Sequence, residues 1–156
     1  MEDLASKMPL LARQEGIWEG IYRYYDFDGV KVDEHASRLT CRVTRNEAWD
    51  YHQTNEYRWS DGRQEIREFK GRWRDGRLRF EDGPIDGWAA EDPLDPERRS
   101  LLLQWRRSDQ PDTRFYEMIQ VDADCRQRSR VWQWIRDGRI VLRTLIDERK
   151  VADDWR

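Results

Sequence analysis

Six of the nine glycines in this chain follow an aspartate, at Asp28, Asp61, Asp75, Asp82, Asp86 and Asp137. Asp-Gly is among the strongest short signals for a β-hairpin, because the tight two-residue turn needs positive φ and glycine adopts it without strain. Segments of strand-like composition flank four of these pairs. "GIWEGIYRYYD" and "VKVDEHASRLTCRV" surround Asp28-Gly29, and "WDYHQTNEYRW" and "QEIREFKGRW" surround Asp61-Gly62. Asp75-Gly76 joins "GRWR" to "RLRFE", and Asp137-Gly138 joins "RSRVWQWIR" to "RIVLRTLID". With "SLLLQWRR" and "RFYEMIQVD" added, the chain predicts roughly eight to ten antiparallel strands in up-and-down order.

Such a run of hairpins has an edge problem, and closing the sheet removes it. The predicted fold is therefore all-β, an antiparallel barrel of about 8–10 strands, with an open sandwich as the alternative. The first residues differ from the rest. Leu4, Met8, Leu11 and Ala12 fall on one side of a short helix, which Pro9 interrupts. The 156 residues read as a single domain, with a helical segment over 1–14 and the barrel over 16–148. Only "AEDPLDPERRS" reads as a longer loop.

Charged residues make up 39% of the chain, a level compatible with disorder, but nine Trp, six Tyr and four Phe argue for a folded, aromatic-rich interior. Acids slightly outnumber bases, for a net charge of −3, and no basic stripe stands out, so nucleic acid is not an expected partner. The bases are 25 Arg against four Lys, a choice that suits stacking and carboxylate recognition and that genome composition also produces. No segment reaches transmembrane length, and the acidic start does not read as a signal peptide, so the expectation is a cytoplasmic protein off the membrane. Cys41 and Cys125 follow no metal-ligand spacing; two thiols suit that compartment better than a bridge.

Strand alternation assigns the inner face. Trp18, Gly20, Tyr22 and Tyr24 oppose Glu19 and Arg23, and Gly20 is expected to leave space beside the wall. His35, Ser37, Leu39 and Cys41 oppose Glu34, Arg38 and Arg42. In "WDYHQTNEYRW", Tyr51, Gln53, Asn55, Tyr57 and Trp59 face in and His52 faces out, unless a bulge exchanges the two faces. Two amides and two phenols on an inward face are unusual. They either satisfy one another or line a pocket, where an unpartnered polar group would cost about 1–3 kcal/mol. "RFYEMIQVD" and "RSRVWQWIR" look apolar on both faces, so an outer face is expected to be covered by the helical segment or a homodimer partner.

Gly16-Ile17-Trp18, just after the helical segment, resembles the G-x-W element of the lipocalin and wider calycin superfamily. That resemblance implies that Trp18 closes one end of the barrel under an arginine of the last strand, with Arg143 the best placed and Arg149 second. "LLARQEGIWEGIYRYYD", "YHQTN", "DGW", "YEMIQ" and "RTLIDE" are similar to a family of bacterial lipocalin-like proteins, which implies the barrel but no settled activity. The related nitrobindins hold haem through a histidine towards the C-terminus. Here the only histidines, His35 and His52, lie in the first third of the chain, a departure from that pattern.

No phosphate-cradling loop, dinucleotide fingerprint, serine elbow or metal cluster is present, and neither cofactor nor metal is expected. The predicted function is binding of a small, mostly apolar, aromatic or terpenoid-like molecule inside the barrel. Trp18, Tyr22, Trp132 and Trp134 would supply apolar surface, and His35, Gln53, Asn55 and Tyr57 would orient polar atoms. The alternative is a cofactor-independent isomerase, cyclase, lyase or hydratase, with His35, Tyr57 and Glu117 as the acid-base candidates. Paired with Arg130, Glu117 would instead have a structural role. A third reading is a scaffold whose lumen is filled by its own tryptophans.

Overall fold

The computed structural model describes residues 3–45 and 48–156, so residues 1–2 of the predicted helical segment lie outside it. Two short helices come first, α1 (Leu4–Lys7) and α2 (Pro9–Arg13). Asp3 caps α1 by accepting the Ser6 N–H at 3.0 Å. Pro9 divides the segment as expected, and it stands at the start of α2, where its missing N–H costs nothing.

Ten strands follow: β1 (Gly16–Asp26), β2 (Lys31–Val43), β3 (Tyr51–Arg58), β4 (Gln64–Arg74), β5 (Arg77–Phe80), β6 (Ile85–Glu91), β7 (Ser100–Arg107), β8 (Gln110–Val121), β9 (Gln127–Arg136) and β10 (Arg139–Ala152). Each pairs antiparallel with its neighbours in sequence, and β1 pairs with β10, which closes the barrel. Four Asp-Gly pairs make the hairpin turns where the sequence puts them. Asp75 and Gly76, and likewise Asp137 and Gly138, have φ of 54°, 75°, 52° and 71°, the primed turn that follows the twist of the strands. Asp86-Gly87 instead lies inside β6, where a Cβ on Gly87 would meet the Gln104 carbonyl at 2.1 Å.

The predicted facing of β1, β2 and β3 holds, and no bulge inverts β3. His52 points outward, opposite Arg42 and Lys70 and 3.7 Å from the Glu68 carboxylate. Gly20 differs from expectation. A Cβ there would meet the Asp147 carbonyl at 2.1 Å and the Glu148 Cγ at 2.7 Å, so glycine permits a close approach to β10 and leaves no space.

The helical segment lies across the barrel end formed by the start of β1 and the ends of β6 and β10. Leu4, Met8, Leu10 and Leu11 are buried. The Leu10 and Leu11 N–H groups donate to Glu91 Oε1, and Lys150 Nζ donates to the Arg13 carbonyl. Trp18 is fully buried and donates its indole N–H to the Gln14 carbonyl at 2.9 Å. The arginine across its ring is not Arg143. Arg128 of β9 lies 4.4 Å from the Trp18 ring centroid and donates to Gln14 Oε1. Arg143 is exposed near the opposite end, 6.0 Å from the Phe27 ring, because Thr144, Ile146 and Glu148 take the inner face of β10; Arg149 is outward for the same reason. No helix among the described residues is long and apolar enough to cross a membrane.

Candidate functional site

Alternation on β8 puts Phe115, Glu117, Ile119 and Val121 inside, and on β9 it puts Arg128, Arg130, Trp132 and Trp134 inside. Charge therefore lies on these inner faces, and with Glu148 on the inner face of β10 two arginines balance two glutamates. Arg130 donates from Nε to Glu117 Oε1 at 2.8 Å and from Nη1 to Glu148 Oε1 at 3.0 Å and the Tyr22 hydroxyl at 2.8 Å. Arg128 grips Glu148 Oε2 through Nη2 at 2.7 Å and Nε at 3.1 Å. The indole N–H of Trp105 donates to Glu117 Oε2 at 3.2 Å. Burial pushes the Glu148 carboxyl up, and Arg128 and Arg130 more than reverse this, holding it below the usual carboxylate range. Glu117 and Arg130 of this quartet form the floor of the lumen, with Arg128 and Glu148 beneath them.

Above it is a cavity of about 370 Å³, within the size range of small-molecule sites, roughly 300–1,000 Å³. Trp59, Trp105, Trp132 and Trp134 line it without filling it, contrary to the scaffold reading. His35, Gln53, Asn55, Tyr57, Glu117, Trp132 and Trp134 all contribute to its wall. Trp18 and Tyr22 do not. Both are fully buried behind the wall, where Tyr22 stacks on His35 at 4.7 Å and meets Trp132 edge-on at 5.7 Å.

The polar residues of β3 form a relay. The Tyr51 hydroxyl donates to Gln53 Oε1, Gln53 Nε2 donates to Asn55 Oδ1, and Asn55 Nδ2 donates to the Tyr57 hydroxyl, at 2.7, 2.7 and 2.8 Å. The amides thus satisfy each other and also face the cavity. Burial raises the Tyr57 phenol above its ordinary value, so it stays a neutral hydrogen-bonding group.

At the other side His35 meets Tyr24, whose hydroxyl lies 2.8 Å from Nε2. Nδ1 lies 3.2 Å from the Ala36 carbonyl. A carbonyl only accepts, so the proton is on Nδ1, and Nε2 accepts from Tyr24. Burial lowers the His35 pKa and raises that of Tyr24. The expected midpoint of the His35 ring titration, followed by NMR, lies below the ordinary value of about 6.5. Because the folded value is depressed, its contribution to stability is complete above the unfolded value and is lost as pH falls toward the folded one.

Sequence reading placed Tyr24 inward without assigning it to the site, and it missed Arg67 and Arg107. Both arginines line a seam in the wall. β5 pairs with only Gly71–Arg74 of β4, so Gln64–Lys70 has a strand partner on the β3 side alone. β6 starts only at Ile85, opposite Arg107 of β7. Glu65, Arg67, Ile85 and Arg107 line the cavity at this seam. A groove bounded by Ile66, Arg67, Pro84 and Asp109 follows its outside, so Arg67 is common to both. Asn55 pairs with Arg67 in register, the signal that places Arg67 on the inner face.

Fold and cavity together define a lipocalin-like barrel with a lumen of ligand size. No protein-family model matches the sequence, and no curated protein matches it. Solved structures share the fold, two of them aligning over most of this chain. One is the S-type phycobiliprotein lyase CPES from Guillardia theta, with a TM-score of 0.68 and 13% identity over 95% of this chain and 93% of that one. The other is a protein of unknown function from the DUF3598 family of Nostoc punctiforme PCC 73102, with a TM-score of 0.67 and 14% identity over 90% of this chain. This chain spans 49% of the length of the latter. At such identities the likeness is one of fold alone.

Proposed function

We propose that this protein is a cytoplasmic, calycin-type barrel that binds a small, mostly apolar, flat molecule in its lumen. The observation that carries this reading is the cavity itself, about 370 Å³ and walled by aromatic rings, with amides, phenols and guanidinium groups at defined points. The S-type lyase of the same fold acts, by its name, on a phycobiliprotein. A homodimer through the outer face of β8 and β10, where Tyr116, Met118 and Leu145 are exposed, belongs to the same proposal.

Native mass spectrometry of freshly purified protein tests the reading. The expected result is a second mass series with a small molecule retained, which disappears on denaturation. Protein that carries no adduct and shows no tryptophan quenching with flat hydrophobic compounds would remove its basis.

One observation favours the second reading, a cofactor-independent enzyme of the isomerase, cyclase, lyase or hydratase type. Tyr24 and a neutral His35 form a hydrogen-bonded acid-base pair that lines the cavity. Glu117 is a weaker candidate because Arg130 and Trp105 occupy both its oxygens. On this reading His35→Gln abolishes turnover of the retained molecule while its binding survives; equal loss of both returns His35 to a binding role.

A further inference from the structure

We propose that the ligand is an amphipathic acid, with its flat apolar body in the lumen and a carboxylate at the β4–β6 seam, held by Arg67 and Arg107. This rests on the binding reading and specifies the chemical class.

A guanidinium carries five N–H donors, and these two arginines use few of theirs. Arg67 donates from Nε alone to Glu65 Oε1 at 2.6 Å, which leaves Nη1 and Nη2 without a protein partner among the described residues. Arg107 donates from Nε and Nη2 to Asp109 at 2.8 and 2.6 Å, which leaves Nη1 without a protein partner among the described residues. Both residues line the cavity, and the Nη1/Nη2 fork of Arg67 has the planar geometry that matches a carboxylate.

The acids at the seam do not cancel the arginines inside the lumen, because the two kinds of group differ in exposure. The Arg67 and Arg107 side chains are 22% and 15% exposed, against 40% for Glu65 and 58% for Asp109. Water screens the carboxylates more than the guanidinium groups, so the cavity side of the seam favours an added negative charge. Asp109 responds to both arginines: its hydrogen bonds from Arg107 hold its carboxyl below the usual range, and Arg67 adds to the effect.

Of the other acids of the lining, Glu117 is paired with Arg130. Asp33 keeps its charge under the Trp59 indole N–H, 3.2 Å from both its oxygens, so an anion is favoured at the arginines and not at the Asp33 side of the cavity. The four charged groups at the seam sum to zero, so the attraction for an anion comes from the unequal exposure of the two signs and not from a net charge. Ring faces supply the rest of the wall: Trp105 stacks on Phe115 at 4.1 Å, and Trp134 meets Phe115 at 4.6 Å.

The test compares 1-naphthylacetate with its uncharged isostere 1-naphthylacetamide at pH 7, by tryptophan quenching and calorimetry. Wild-type protein is expected to bind the acid at least about tenfold more tightly than the amide, as charge-assisted hydrogen bonds warrant. In Arg67→Met/Arg107→Met that preference vanishes while amide affinity is retained. The single variants Arg67→Gln and Arg107→Gln, which keep most of the side-chain volume, each lose part of it; circular dichroism confirms that all are folded. Equal affinity for acid and amide in wild-type protein would overturn the carboxylate inference and leave the binding reading standing. A preference that survives in the double variant would place the anion elsewhere and overturn the assignment to the seam. Failure of both compounds to bind would remove the binding reading, and this inference with it.

Discussion

Replacing Arg130 with methionine is expected to lower the unfolding free energy by about 3–5 kcal/mol, the usual result of breaking a buried ion pair from one side. For a chain of this length that is a fall in Tm of roughly 6–20 °C. Arg130 touches three buried acceptors, and its loss leaves Glu117 with only the Trp105 N–H while Glu148 keeps Arg128. The cost is that of a stranded charge, so removing the charge offsets it. Glu117→Gln/Arg130→Met is expected to recover most of the lost stability, because replacing both partners of a buried pair is often close to neutral. Denaturant unfolding of the two variants checks this, and a double variant no more stable than the single one would show that the arginine acts by packing.

The same quartet sets the acid limit of the fold. Glu148 is held below the ordinary carboxylate range, so its contribution is fully present above the unfolded value of about 4.3 and is lost as pH falls through the folded one. Wild-type stability is therefore expected to hold down to that range and then decline, with an earlier decline in Arg130→Met because one of the two guanidinium groups holding Glu148 is gone.

These charged residues mark where the sequence stops being readable. Hairpin order was legible because its cause is local: Asp-Gly at 75 and 137 specifies a turn whatever surrounds it, and Pro9 cannot continue a helix. Inner and outer faces were legible on β2, where Glu34, Arg38 and Arg42 oppose His35, Leu39 and Cys41. The rule behind that assignment is that charge points to water. It fails for Arg128 and Glu148, and holds for Glu117 and Arg130 only when their pairing is foreseen, because opposite charges on neighbouring strands meet inside and neutralise each other. Arg128 therefore went unnoticed, and Trp18 was matched to Arg143. Glu65 and Arg67 escaped for the same reason, since a charged pair in "QEIREFK" looks like a surface until Asn55 is found opposite Arg67. Asp86-Gly87 misleads in the opposite way: its glycine serves a close strand approach and makes no turn.

Filling the lumen should abolish ligand binding without unfolding the protein. Leu103 of β7 is half-buried, lies between Ala89 and Glu117 in register, and lines the cavity. An indole at that position extends into empty space and leaves the packed core undisturbed, so Leu103→Trp escapes most of the usual penalty for overpacking, about 1–3 kcal/mol. It takes the volume a ring of the ligand would occupy. Losing the burial of one aromatic group is worth about 2–3 kcal/mol, or roughly a hundredfold in Kd. The expected result is a Tm close to wild type and a loss of affinity of that size for 1-naphthylacetate and its amide alike. Because both compounds weaken together, the variant is distinguishable from the arginine substitutions, which weaken only the acid. Unchanged affinity in a folded Leu103→Trp protein would mean that the molecule is held outside the barrel, and the aromatic wall would then be core packing alone.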